Sequence, residues 1–216
     1  MYVSQNSNDN IKDAQLEILR LILDEGETVE NLLEINNITM CILNPLKDSE
    51  SLYNHVTEIS AKHMDQMMLK PNPKLPKTHY GRLHEWAEMD EDVEGSPYKR
   101  YYDQITEVIT RLKENPFSKR CVITLWQPQD TSDPYALSWV FSQLIIRNGY
   151  LIMTNFFRGC DMYNAFPFNM LGIAKLQAEI SEKLGVKTGE FIVHIGSAHI
   201  YKVHKKEIEE YLNKNI

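Results

Sequence analysis

The stretch WVFSQLIIRNGYLIMTNFF, residues 139–157, places two runs of β-branched and aromatic residues on either side of Asn148-Gly149. Asn-Gly is the strongest short-range signal for a tight hairpin, because both residues tolerate the positive φ that such a turn needs. Residues 137–157 are therefore predicted to form an antiparallel hairpin. Two segments of the same character, CVITLW (121–126) and EFIVHIG (190–196), add strands to it.

Helical spacing surrounds these strands. Ile11, Leu16, Leu19, Ile22 and Leu23 recur on one face until Gly26 interrupts them. A second helix is expected over Tyr53–Met68, broken by the proline-bearing KPNPKLPK at 70–77. Ile105, Val108, Ile109 and Leu112 recur at i, i+3, i+4 and i+7 and stop before Asn115-Pro116. Pro167 then opens a helix with Leu171, Ala174, Ala178 and Ile180 near one face, and Gly185 is placed to end it. Strands and helices that do not alternate regularly imply an α+β fold with a mixed sheet flanked by helices. No internal repeat divides the 216 residues, 43% of them hydrophobic, so residues 10–216 read as one domain. Residues 1–9 are expected to fray as a disordered tail.

Several function classes are excluded by composition. No run approaches the roughly 20 apolar residues of a membrane span. The start MYVSQNSNDN is polar, unlike a signal sequence, so a cytoplasmic location without membrane contact is expected. A formal net charge of −7 argues against a nucleic-acid footprint and for a small-molecule partner. Cys41, Cys121 and Cys160 are widely spaced and form no CxxC pair, so neither a disulfide framework nor a metal site is expected.

The segment RGCDMYNAFPFNM, from Arg158 to Met170, sets a cation, a carboxylate and an amide among aromatic rings. A guanidinium at a strand end is either paired, with Asp161 as the nearest partner in sequence, or available to an anion. Asn169 at a helix start reads equally as a cap. A second strand end, GSAHIYKVH at 196–204, delivers His199 and Tyr201. Two strand ends that each present polar side chains describe one site.

RGCDMYNAFPFN, followed some 26 residues later by GSAHIY, resembles the thymidylate synthase family and its relatives, the pyrimidine nucleotide hydroxymethylases. HYGRLHEW (79–86), YDQITEVITRLKENPFSKR (102–120) and CVITLW extend the likeness over residues 79–204, and the compact length is similar to the short archaeal-type members. The resemblance implies a homodimer formed through the sheet and a pyrimidine nucleoside monophosphate substrate. It also implies 5,10-methylenetetrahydrofolate as the one-carbon donor. By the same resemblance Arg158 clamps the phosphate, with Lys119 and Arg120 reaching it from the partner subunit. Asn169 reads the base, its amide favouring uracil (UMP or dUMP) over cytosine (CMP or dCMP). His199 and Tyr201 bind a sugar hydroxyl, and Asp161 orients the folate.

The likeness has departures. The family's nucleophilic cysteine stands five residues before Gln143, where this chain has Ser138. A serine hydroxyl is a far weaker acid than a thiol and needs a dedicated base. Three readings stay open: an engineered change from cysteine, a natural serine or noncovalent route, and a nucleotide-binding protein without catalysis. Gly159 replaces the usual serine after the phosphate arginine, leaving room near the sugar. Ser197 replaces an aspartate, and DEGETVENLLE offers no match to the arginine loop that covers the phosphate. These losses favour hydroxymethylation, which admits water, over reductive methylation, which excludes it. Tyr80 is the expected proton-relay group. Glu58 reads either as a relay carboxylate or as part of a solvated helix face, and His79 and His84 read as ordinary polar positions.

Overall fold

The computed structural model describes residues 2–3, 7–47, 49, 79–89, 99–134 and 136–215. The helix expected over Tyr53–Met68 and the proline loop at 70–77 lie outside these residues, as does Glu58. Within the segment expected to fray, strand β1 (Tyr2–Val3) pairs parallel with Ile38 and Thr39, and Asn8 bridges Ile42. Helix α1 (Ile11–Glu25) begins at Asn10, whose side chain accepts the Asp13 backbone N–H at 2.9 Å, and buries Ile11, Leu19 and Ile22 as its spacing requires. After Gly26 the chain runs through β2 (Glu27–Val29) into β3 (Leu32–Ile42), the antiparallel partner of β2.

A short helix, α2 (His79–His84), leads to the hairpin of β4 (Trp86–Met89) and β5 (Lys99–Tyr102), which the sequence patterning does not mark. Helix α3 (Gln104–Glu114) matches the predicted 105–112 spacing; Asp103 caps it through Thr106 N–H at 2.9 Å, and Asn115 ends it. Strands β6 (Val122–Thr124), β7 (Trp139–Arg147) and β8 (Tyr150–Phe157) form an antiparallel set. Asn148 and Gly149 turn between β7 and β8 with φ of 52° and 79°, the doubly left-handed conformation that the dipeptide predicts. Strand β9 (Cys160–Asp161) is followed by helix α4 (Phe166–Leu184), the long β10 (Lys187–Tyr201) and α5 (Lys205–Asn213).

One sheet runs in the order β1-β3-β10-β8-β7-β6, with β2 on β3 and β9 on β10. It is mixed, because β10 pairs parallel with β8 and β9 but antiparallel with β3. Residues of α1 and α4 bury themselves with Leu144, Met153, Val193 and Ile195 on one face of the sheet. Beneath that face the Trp139 indole N–H donates to Ser142 Oγ at 2.9 Å, Ser142 donates to Asn155 Oδ1 at 2.5 Å, and the Asn155 amide donates to the Ile192 carbonyl at 3.1 Å. Ser142 and Asn155 are fully buried, so deleting one partner strands another at a cost of about 1–3 kcal/mol. This chain of bonds locks β7, β8 and β10 in register below the strand ends that carry the site.

Candidate active site

Register brings the polar groups together. Trp139 pairs with Phe157 across β7 and β8, so the residues flanking that pair, Ser138 and Arg158, meet: Arg158 N–H donates to the Ser138 carbonyl at 2.9 Å. On the other side Ser197 N–H donates to the Arg158 carbonyl at 3.2 Å. Gly196 permits this approach, since a Cβ there would lie 2.8 Å from the Arg158 carbonyl oxygen. Cys160 and Asp161 then pair with Ala198 and His199.

The Arg158 guanidinium is exposed. Its Nη2 donates to the Ala136 carbonyl at 2.8 Å, its Nε to the Leu137 carbonyl at 3.2 Å, and its Cζ lies 5.7 Å from the Trp126 ring centroid. These partners are neutral, and among the described residues Arg158 forms no ion pair. The reading that pairs it with Asp161 is therefore corrected. Asp161 Oδ1 accepts the backbone N–H groups of Tyr163 and Asn164 at 3.0 and 3.1 Å, while Oδ2 accepts the Asn164 amide at 2.9 Å. A carboxylate two residues before free backbone donors satisfies them locally instead of reaching back to the strand end.

Asn169 sits in the first turn of α4, where its backbone N–H continues the helix to Ala165 and its side chain does not cap. The Cys160 thiol donates to the Asp161 carbonyl at 3.7 Å, and burial, with the charge of Asp161 behind it, pushes that thiol far above its ordinary range, opposed by the nearby Asn169 amide. Cys160 is thus a poor source of thiolate. Gly159 lies against the same wall: a Cβ there would be 3.6 Å from the Ser197 carbonyl oxygen and 3.9 Å from His199 Cε1, both ordinary contacts. A serine would fit, and glycine leaves its volume open.

His199 and Tyr201 leave β10 two residues apart, with rings edge to face at 5.9 Å. His199 Nδ1 lies 3.3 Å from both the hydroxyl and the carbonyl oxygen of Ser197, and the Ser197 hydroxyl donates to Glu34 Oε2 at 2.7 Å. Glu34 stands opposite His199 in the β3·β10 register. The sequence reading missed Glu34, because nothing local marks a carboxylate 163 residues from its hydroxyl partner. It also missed Trp126 beneath Arg158.

Helix α2 backs the site from behind β7. His79 is buried with its ring centroid 5.9 Å from that of Trp139, and burial holds its imidazole pKa down at about 4. It is a neutral core group, where the sequence suggested an ordinary polar position. Tyr80 stacks on His84 at 4.5 Å, and His84 Nδ1 lies 3.0 Å from Asp103 Oδ2.

Lys119 and Arg120 are exposed between α3 and β6, where the Lys119 carbonyl accepts the Gln143 amide at 3.1 Å. Gln143 is five residues along β7 from Ser138, roughly 17 Å at the rise of a strand, so a single chain does not bring these cations to Arg158. The sheet face away from the helices carries Phe141 stacked on Phe156 at 5.5 Å, with Ile145, Ile152 and Ile192 half-buried around them. Among the described residues no group of His, Cys, Asp and Glu is arranged to hold a metal ion, and no helix is long and apolar enough to cross a membrane.

The family model described as thymidylate synthase matches residues 34–216. A putative thymidylate synthase of Methanothermobacter thermautotrophicus is 28% identical over 221 residues, covering 94% of this chain and 95% of that protein. The thymidylate synthase of Oenococcus oeni is 35% identical over 139 residues, covering 62% of this chain but 41% of its own length. A bifunctional dihydrofolate reductase-thymidylate synthase of Zea mays is 27% identical over 169 residues, and the match spans 31% of that protein.

Proposed function

The chain belongs to the thymidylate synthase family, and on that premise we propose that it binds a pyrimidine nucleoside monophosphate around Arg158 and transfers a one-carbon unit to C5 of the base. The observation that carries this reading is the exposed Arg158 guanidinium, held by two carbonyls and a ring face with no carboxylate partner among the described residues. Carbonyls orient the fork without neutralising it, which leaves its charge for a phosphate.

Each remaining group has a part. Asn169 presents an amide able to donate to O4 and accept from N3–H of uracil, and UMP or dUMP is preferred to CMP or dCMP on that ground. His199 and Tyr201 hold the sugar. The half-buried Asp161 carboxylate, fixed by two backbone donors, suits the donor edge of a pterin, and 5,10-methylenetetrahydrofolate bound there supplies the one-carbon unit. Tyr80 is the proton-relay group. Ser138, whose carbonyl accepts from Arg158 N–H, adds to C6 of the pyrimidine in this reading: its oxygen forms the bond, its proton leaves to a base, and the electron pair moves to C5, where the new carbon attaches. Loss of the C5 proton then releases the donor and leaves an exocyclic methylene on the pyrimidine; water adds to that carbon, and departure of the Ser138 oxygen from C6, which regains its proton, restores the C5–C6 double bond.

Exposure of Arg158 and Tyr201 supports hydroxymethylation over methylation, because water reaching the transferred carbon gives the alcohol. We also propose a homodimer through the uncovered sheet face. Its apolar residues call for a partner, and Lys119 and Arg120 lie too far along β7 to serve their own Arg158. The second reading, nucleotide binding without catalysis, is favoured by Ser138, whose hydroxyl has no histidine in contact among the described residues. Tritium release from UMP, dUMP, CMP or dCMP labelled at C5, in the presence of methylenetetrahydrofolate, decides between the two. Release from the uracil nucleotides with an alcohol product is expected; binding without release establishes the second reading.

A further inference from the structure

The Glu34–Ser197 pair leads to His199, one of the nucleotide groups, without itself being one of them. Its donor and acceptor roles follow from chemistry. A carboxylate only accepts, so the single hydroxyl proton of Ser197 lies on the 2.7 Å bond to Glu34 Oε2. What Ser197 Oγ turns toward His199 Nδ1, at 3.3 Å, is therefore a lone pair. The other neighbour of Nδ1, the Ser197 carbonyl oxygen at 3.3 Å, is also acceptor only. A ring nitrogen facing two acceptors carries the proton, and the neutral imidazole then offers Nε2 as an acceptor.

We infer that Glu34 is a positioning residue of the nucleotide site, acting through Ser197 to fix His199 as the Nδ1–H tautomer, so that Nε2 accepts from a sugar hydroxyl. The inference rests on His199 as the sugar contact. Glu34 itself touches no substrate. It faces His199 from the neighbouring strand β3, because the antiparallel register pairs Glu34 with His199 and Asn36 with Ser197. The device selects for a donor at that position: a sugar lacking the hydroxyl leaves the Nε2 lone pair unmatched.

The test reads the tautomer directly. In uniformly nitrogen-labelled native protein at mildly alkaline pH, the His199 ring signals, identified by their loss in His199→Asn, are expected to show a protonated Nδ1 and a bare Nε2. In Glu34→Gln the new amide donates to Ser197 Oγ and frees the hydroxyl proton to turn toward Nδ1, so an Nε2–H population is expected to appear. The preference for dUMP over its analogue lacking the sugar hydroxyl should then fall about tenfold, the worth of one hydrogen bond. A native Nε2–H tautomer overturns the inference without any variant being needed. So does a Glu34→Gln protein whose tautomer and sugar preference both match the native ones. Native protein with the expected tautomer that binds no nucleotide overturns the proposed function and the sugar contact, while the link from Glu34 to His199 stands.

Discussion

Replacing Arg158 with alanine isolates the charge on which the proposed function depends. In the native fold the guanidinium is exposed and bonded to two carbonyls at 2.8 and 3.2 Å, so its removal strands no buried charge and should change stability by well under about 1 kcal/mol. Its contribution to a bound phosphate is larger, because two parallel charge-assisted bonds form at once. Allowing for the solvent that reaches an exposed site, the loss is about 2–3 kcal/mol, or roughly 30- to 150-fold in Kd. Arg158→Lys keeps the charge and loses the fork, so it should recover only part of that. Titration calorimetry with dUMP, set beside the corresponding nucleoside, completes a cycle between side chain and phosphate. The nucleoside should bind native and variant proteins alike. Equal dUMP affinity for folded Arg158→Ala and native protein refutes the assignment, and an equal loss for the nucleoside shows that the substitution acts through the fold.

Asn169→Asp should reverse the order of uracil and cytosine monophosphates, since a misplaced donor or acceptor is left unpaired in the complex; tighter CMP than UMP binding by the native protein contradicts this. Ser138→Cys should form a covalent adduct with a 5-fluorinated uracil nucleotide when methylenetetrahydrofolate is present, because fluorine cannot leave as a proton, and the native serine protein should form little. Peptide mapping that finds the adduct on Cys160 instead would contradict both the placement of the nucleophile and the protonated state that burial imposes there. His79, held down at about 4 from an ordinary 6.5, is neutral in the fold and more basic when unfolded. The unfolded chain therefore takes up the proton first as pH falls, and stability present above about pH 6.5 is lost on the way to pH 4, amounting to about 3 kcal/mol. Urea denaturation of native protein and His79→Phe across that range checks the sign: the variant should lack this part of the acid loss.

Much of this protein is written locally. The Asn148-Gly149 hairpin, the helices at 104–114 and 166–184 and the strands around them follow from spacings of two, three and four residues, which each segment carries whatever it packs against. The motif around Arg158 was equally legible, because Arg158, Asp161 and Asn169 fall within 12 consecutive residues. Partnership among those residues was not. Asp161 lies three residues from Arg158 in sequence, yet it bonds the backbone of Tyr163 and Asn164, while the guanidinium rests on Ala136, Leu137 and Trp126. Lys119, followed by Arg120, ends up far down β7, its backbone carbonyl held by the Gln143 amide. Glu34 reaches Ser197 only because two strands from opposite ends of the chain adopt one register, and a slip of one residue would turn the carboxylate to the other face of the sheet. Local periodicity decides which elements form and which side chains stand at their ends; only strand pairing across the sheet decides which of those side chains touch, because a hydrogen bond depends on positions in space that residue spacing along the chain does not contain.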